Sequence, residues 1–401
     1  MGLFKILIMT LAVSAWALNL QAADSKAWRK YNDTGKQYYR DDKLADAEKY
    51  LKLAVKEAEA LKDNNMLSAS LTNLAAVYDE GGRVAEAEPL YKKALELREQ
   101  SLGKNHPDVA LSANNLATLY KSQGNFKDAE TYYKRALEIM LKLKGKSDPN
   151  VALIKSNLAN LYKEQGKYDL AVPLCGEALV ALEAKFGTKD PRVMTLINNL
   201  AEMNKGQGQY AMAEELYKKV ITTYEGSKDV PKSDLGMAYN NLGDLLRLLK
   251  RFEESENAFN KAIKIWESAL GKEHALIATA LNNMGMLYKD EKRLDQAEPR
   301  YKAALAIWEK TLGKDHPNVA SCLNNLAMLY KEQSKYAEAL PLFKRALALR
   351  EKQMGPESTQ LLPLLENYAA TLRLVKKESD AVPLESRALQ IRQKVMPKAG
   401  S

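Results

Sequence analysis

Cysteine, histidine, proline and glycine are scarce, and each scarcity removes a class of protein. Two cysteines, Cys175 and Cys322, in 401 residues cannot staple a fold, which excludes a disulfide-framed domain. Thirteen prolines and twenty glycines beside ordinary apolar content exclude a disordered or low-complexity chain. Long apolar runs are absent except for Ile6 to Leu18, broken only by Thr10 and Ser14. Lys5 precedes that run, and Ala22 and Ala23 follow it before the polar Asp24. Residues 1–22 therefore read as a secretory signal peptide, too short for the ~20 apolar residues of a membrane span. The alternative is an uncleaved N-terminal anchor. No membrane span is expected in the mature chain, which is placed in the periplasm of a bacterium or outside the cell. The formal charge of +9 suits acidic partners or anionic surfaces and identifies neither.

The chain is too long for one compact core, and it is rich in Ala, Leu, Lys and Glu, as helical proteins are. Its organisation is periodic. An Asn before Leu-Ala, Leu-Gly or a close variant recurs at Asn73, Asn115, Asn157, Asn199, Asn241, Asn283, Asn325 and Asn367, always 42 residues apart. A degenerate unit, residues 28–61, precedes these eight, with Asp33 in the Asn slot at a spacing of 40.

Each unit reads as two helices. In the unit of Asn157 the first helix carries Leu158, Ala159, Leu161 and Tyr162 on one stripe. Gly166 follows, where a helix end favours a left-handed backbone, and Gly82, Gly124 and Gly208 share its slot. Later units place Lys250, Lys292, Ser334 and Lys376 there, a less favourable choice. The second helix has two columns of small residues seven apart. One runs Ala87, Ala129, Ala171, Ala213, Ser255, Ala297, Ala339, Ala381, and the other Ala94, Ala136, Ala178, Val220, Ala262, Ala304, Ala346, Ala388. Small side chains so spaced share a face and allow close helix contact. A large residue such as Tyr91, Tyr133, Tyr217, Phe259, Tyr301 or Phe343 lies between them. Pro89, Pro173, Pro299, Pro341 and Pro383 are expected near the helix start, where a missing N–H costs nothing. Pro107, Pro149, Pro191 and Pro317 are expected to open the next helix.

This pattern resembles the tetratricopeptide repeat: Leu-Gly, then Tyr, later Ala, an aromatic and Pro, in that order. The 42-residue period and the Leu-Asn-Asn-Leu-Ala start are similar to the kinesin-light-chain-like subclass. The resemblance covers residues 28 to about 395 and implies, for 23–397, an all-α, right-handed superhelical solenoid of about nine helix-turn-helix repeats with first helices on the concave side. In the last unit, at about 358–395, Glu385 replaces the aromatic and Leu372 the Tyr, so a polar outer face and a capping role are expected. Asn204 in the Tyr slot marks the unit of Asn199 as the weakest internal one, and a bend or loose turn is expected over 226–234.

Nothing reads as catalytic, and no metal or cofactor is implied. His106, His274 and His316 share an inter-repeat slot with Asp148 and Asp190, which makes them helix caps. Cys175 stands in for a core aromatic and Cys322 lies on a helix flank, so both read as packing thiols too far apart in the repeat stack for a disulfide. The Asn column is different, because it falls nearly opposite the Leu/Ala/Tyr stripe and cannot pack on its own second helix. A Lys/Arg column follows six residues on, at Lys121, Lys163, Lys205, Arg247, Lys289, Lys331 and Arg373, broken by Asp79. An amide both donates and accepts, so a ladder of amides can hold a backbone of any sequence. The resemblance implies that use for Asn in this slot.

Candidate ligand contacts are thus Asn115, Asn157, Asn199, Asn241, Asn283 and Asn325, with Lys163, Arg247, Lys289 and Lys331 for acidic groups. The alternatives are that the amides bond the neighbouring repeat and the cations complement helix dipoles. The reading is an exported, non-catalytic scaffold binding a protein or peptide in its concave groove, for assembly of an envelope or secreted complex. The alternative is a self-assembling repeat module. Nucleic acid is a weaker option, because the groove lacks an aromatic ladder for bases. N-terminal sequencing of the native protein should begin at Ala23 or Asp24, and an intact Met1 in the cytosol would contradict export.

Overall fold

The computed structural model describes residues 26–226 and 231–395, so the expected signal peptide and residues 227–230 of the expected loose turn lie outside it. Among the described residues there are eighteen α-helices, one three-residue 3-10 turn and no strand. None of these helices is long and apolar enough to cross a membrane. The chain divides into two units, Met1–Gln209 and Tyr210–Ser401. The first holds α1 (Lys26–Arg40), α2 (Leu44–Ala60), α3 (Asn64–Glu80), α4 (Val84–Leu102), α5 (Pro107–Ser122), α6 (Phe126–Lys144), α7 (Pro149–Glu164), α8 (Tyr168–Phe186) and α9 (Pro191–Gly206). The second holds α10 (Tyr210–Glu225), α11 (Lys232–Leu248), α12 (Phe252–Leu270), α13 (Ala275–Asp290), α14 (Leu294–Thr311), α15 (Pro317–Glu332), α16 (Tyr336–Met354), α17 (Leu362–Leu374) and α18 (Glu378–Val395). The division falls inside the repeat of Asn199, five residues after Asn204.

Within each unit, each first helix packs on the second helix that follows it, and that second helix packs on the next first helix. Both small-residue columns are buried, from Ala87 to Ala381 and from Ala94 to Ala346 at 0% exposure, with Ala388 at 5%. Tyr133, Tyr217, Phe259, Tyr301 and Phe343 fill the space between them, and Cys175 takes that place in α8, fully buried. Burial pushes its thiol up to about 12 and does the same to Cys322, so both stay protonated packing groups, and both are free.

The turns carry the strain that the sequence implied. Gly82, Gly124, Gly166 and Gly208 have positive φ, and so do Lys250, Lys292, Ser334 and Lys376, at 58°, 64°, 59° and 59°. Glycine and non-glycine turns close with the same bond, from the next N–H to the carbonyl five residues back. Lys167 N to Tyr162 O and Lys335 N to Tyr330 O both measure 2.8 Å. The same closing bond therefore accompanies a left-handed backbone that Lys and Ser disfavour.

Two expectations need correction. Pro107, Pro149, Pro191 and Pro317 do open their helices. Pro89, Pro173, Pro299, Pro341 and Pro383, however, lie inside theirs, five residues past the first. There the missing N–H removes a real i−4 bond. Each proline and each deprived residue is exposed, so water can serve the carbonyl. The last pair is also less polar outside than expected. Glu385 does pair with Arg373 at 2.7 Å, but Leu374, Val382 and Leu389 are 54%, 48% and 56% exposed.

Ala171→Leu would overpack the α7–α8 contact and should cost about 1–3 kcal/mol. Hydrogen exchange should rise first in α7 and α8, since repeats couple to their neighbours. Equal loosening of every helix would contradict local coupling.

Candidate functional site

Within each unit, several first helices come close enough to the next to bond through the Asn row. Asn157 donates its Nδ2 to Asn114 Oδ1 at 2.9 Å, one repeat back. Asn283 donates to Asn240 Oδ1 and Asn325 to Asn282 Oδ1, both at 3.1 Å, and Asn73 donates to Asn32 Oδ1 at 2.9 Å. The bond thus joins the repeated Asn to the residue that precedes the equivalent Asn one repeat earlier. Among the described residues no such bond forms from Asn115 or Asn199, whose counterparts are Thr72 and Ser156, or from Asn367, whose counterpart Asn324 keeps a buried Oδ1 without a partner. Asn115 is 7% exposed, and Asn157, Asn199, Asn241, Asn283 and Asn325 are half-buried. Asn241 accepts from its neighbour Asn240 at 3.4 Å. The neighbour-repeat bonding weighed as an alternative is therefore present. It uses one N–H of Asn157, Asn283 and Asn325 and fixes the amide without using its Oδ1.

The basic column is less uniform than its spacing implies. Lys121 reaches Glu164 of the next repeat at 2.9 Å. Arg247 reaches Asp290 of the next repeat and also Asp244, at 2.9 Å, in a setting only 15% exposed. Lys289 lies 3.6 Å from Asp290. Lys163 and Lys331 make no ion pair among the described residues, and both are half-buried. Of the four candidate cations, these two keep the most charge for a ligand, and Arg247 the least.

The column breaks at Asp79. Burial pushes this carboxyl up to about 6, and the charge of Glu80 adds to the effect. Buried Tyr39 and Tyr91 stand within its electrostatic reach.

The histidines cap helices. His106, His274 and His316 accept from the backbone N–H two residues on, at 3.2, 3.2 and 3.1 Å through Nδ1, and Asp148 does so at 2.8 Å. Among the described residues no group of three or more His, Cys, Asp or Glu is placed to hold a metal ion.

One repeated constellation escaped the sequence reading. In α3, α5, α7, α13 and α15 a Tyr near the end of the first helix donates to a Glu of the preceding second helix: Tyr78 to Glu48, Tyr120 to Glu88, Tyr162 to Glu130, Tyr288 to Glu256 and Tyr330 to Glu298, at 3.3, 3.4, 2.9, 2.8 and 3.0 Å. Basic neighbours such as Lys92, Lys134 and Lys302 close on the same carboxylates at 2.7, 2.6 and 2.7 Å. The signal was a Glu column 32 residues before the Tyr column. It lapses at both ends where Asn204 follows Val172 and Leu372 follows Leu340 at that spacing, and at the Tyr end alone where Leu246 follows Glu214.

A family model described as tetratricopeptide repeat matches residues 29–100, 67–142, 150–226, 234–290, 276–352 and 332–394. The chain belongs to the tetratricopeptide repeat family. This tetratricopeptide protein is similar in fold to a Rap protein complexed with competence and sporulation factor, 15% identical with a TM-score of 0.56, over 92% of this chain and 98% of that one. It is also similar to a tetratricopeptide repeat protein from Parabacteroides merdae, 17% identical with a TM-score of 0.52, over 76% and 99% of the two chains. A putative kinesin light chain of Podosopora anserina with nearly identical repeats is 21% identical, over 52% and 100%, with a TM-score of 0.45. No curated protein matches the sequence.

The raised pKa of Asp79 gives a pH prediction. A folded carboxyl above its usual ~3.9 costs stability at pH 7, and the cost is relieved as pH falls through about 6 toward 4. Asp79→Asn should add about 1–2 kcal/mol at pH 7 after allowance for screening, and little at pH 4. Equal effects in urea melts at the two pH values would contradict it.

Proposed function

We propose that this tetratricopeptide protein is an exported, non-catalytic scaffold that holds an extended protein or peptide segment along its row of first helices. Its work would be the assembly of an envelope or secreted complex. The observation that supports this reading is the asparagine row. Asn157, Asn283 and Asn325 are each oriented by one bond to the preceding repeat, while the carbonyl of the same amide is left over for another donor. Amides held in this way lose little freedom when they bind a backbone, which favours affinity. The fold also occurs in a Rap protein that was solved in complex with competence and sporulation factor. Export rests on the N-terminal apolar run alone.

Affinity capture from the native envelope fraction would provide the partner. Asn241→Ala should then weaken binding by about 0.5–1.5 kcal/mol at any salt. Lys289→Ala should weaken it at low salt only, because exposed charges are screened over ~8–10 Å. If neither change weakens binding while circular dichroism stays unchanged, the partner uses another face.

A second reading, self-assembly, draws on the last repeat. Leu389 occupies the slot of Leu95, Leu179, Ile221 and Leu347, each 6–8% exposed, yet is itself 56% exposed. Sedimentation over a concentration series separates the two: a constant monomer rules self-assembly out.

A further inference from the structure

One column of charges on the first helices changes sign within the first unit. In the slot six residues after the asparagine, α3 carries Asp79, whereas α5 and α7 carry Lys121 and Lys163. Lys121 is compensated across one repeat by Glu164, at 2.9 Å. The equivalent partner of Lys163 would stand at position 206, which is Gly206, so Lys163 is left without a carboxylate among the described residues. Asp79 is the converse. Its carboxylate has no hydrogen bond or ion pair among the described residues. The charges around it are of its own sign: Glu80 acts on it directly, and Asp42 acts with both on Tyr39. The cations of α1 are turned elsewhere, Lys36 to Asp33 at 3.7 Å and Arg40 to Gln37 at 2.8 Å. Two uncompensated charges of opposite sign thus stand two repeats apart in one column of the first helices.

We propose that the first unit accepts an extended segment in one direction only, with a Lys or Arg of the segment at Asp79 and an Asp or Glu at Lys163. This rests on the groove reading above. First helices α5 and α7 touch, as the bond from Asn157 to Asn114 at 2.9 Å requires, and the same step is taken from α3 to α5. At ~8–10 Å between packed axes, two steps cover roughly 16–20 Å. An extended chain rises ~3.3 Å per residue, so the two charged residues stand about five or six apart. A reversed segment would set like charges against each other at both positions, which is rejection as well as lost attraction.

The test is retention of a random dodecapeptide library, displayed on phage, by the full mature chain. Retained clones should carry Lys or Arg about five or six residues from Asp or Glu, in one order only. The exchanged variant Asp79→Lys with Lys163→Glu should retain the opposite order. Should a buried ammonium at position 79 unfold that variant, Asp79→Asn with Lys163→Gln should retain both orders equally. Retention of both orders by the unaltered protein, or of clones without a charge pair, overturns the polarity. Asn115→Ala with Asn157→Ala distinguishes the two claims. If that variant, folded by circular dichroism, retains the same clones, the groove reading falls and the polarity with it. If it loses clones that carry no charge pair, the groove stands and only the polarity falls. Retention of no clone by the unaltered protein overturns both.

Discussion

A single helix pair of this chain cannot bury its own apolar face, and the rest of the structure follows from how closely pairs must approach to do so. The alanine-sized columns on the second helices set that distance. Any larger side chain at Ala129 or Ala136 would meet a neighbouring helix, because both are fully buried. The large ring between them then fills what remains, in places with no room to spare. A Cβ added at Gly285 would lie 2.6 Å from the ring of Tyr301, and one at Gly243 2.8 Å from Phe259. Close pairs bring successive first helices within hydrogen-bond reach, and that reach is what makes the asparagine row possible.

Inter-repeat bonds then divide into two kinds. The Tyr–Glu–Lys clamps and the asparagine bonds both cross from one repeat to the next, but only the asparagine bonds join first helix to first helix. The clamps consume their polar groups: Glu298 serves Tyr330, Lys302 and Lys335 at once. The amides do not, since each has two N–H groups and an oxygen, and one bond leaves most of that capacity. A face whose polar groups are oriented but unsaturated suits a ligand that is itself a backbone.

The repeat, its helix pairs, the buried columns and the capping histidines were legible because each is a local pattern that recurs at fixed spacing. Lys250, Lys292 and Ser334 were recognised as poor turn residues, and their backbones do take positive φ. What was not legible depends on pairs of residues in different repeats. Arg247 and Lys163 look alike in the column, yet Asp290 engages the first and Gly206 leaves the second alone. The interior position of Pro89 escaped because nothing local marks where α4 begins: Arg83 before it makes no side-chain cap. The exposure of Leu389 depends on what packs against the outer side of α18, which no single helix reveals.

The central claim is that a partner is held by the row of first helices and not by the outer faces of the second ones. A photo-cross-linking residue, benzoylphenylalanine, placed at Asn199 or at Val180 tests this directly. Val180 is 68% exposed on a second helix, whereas Asn199 is half-buried in the asparagine row. Irradiation in the native compartment should give an adduct with another polypeptide from Asn199 and none from Val180. Adducts from Val180 alone would contradict the account.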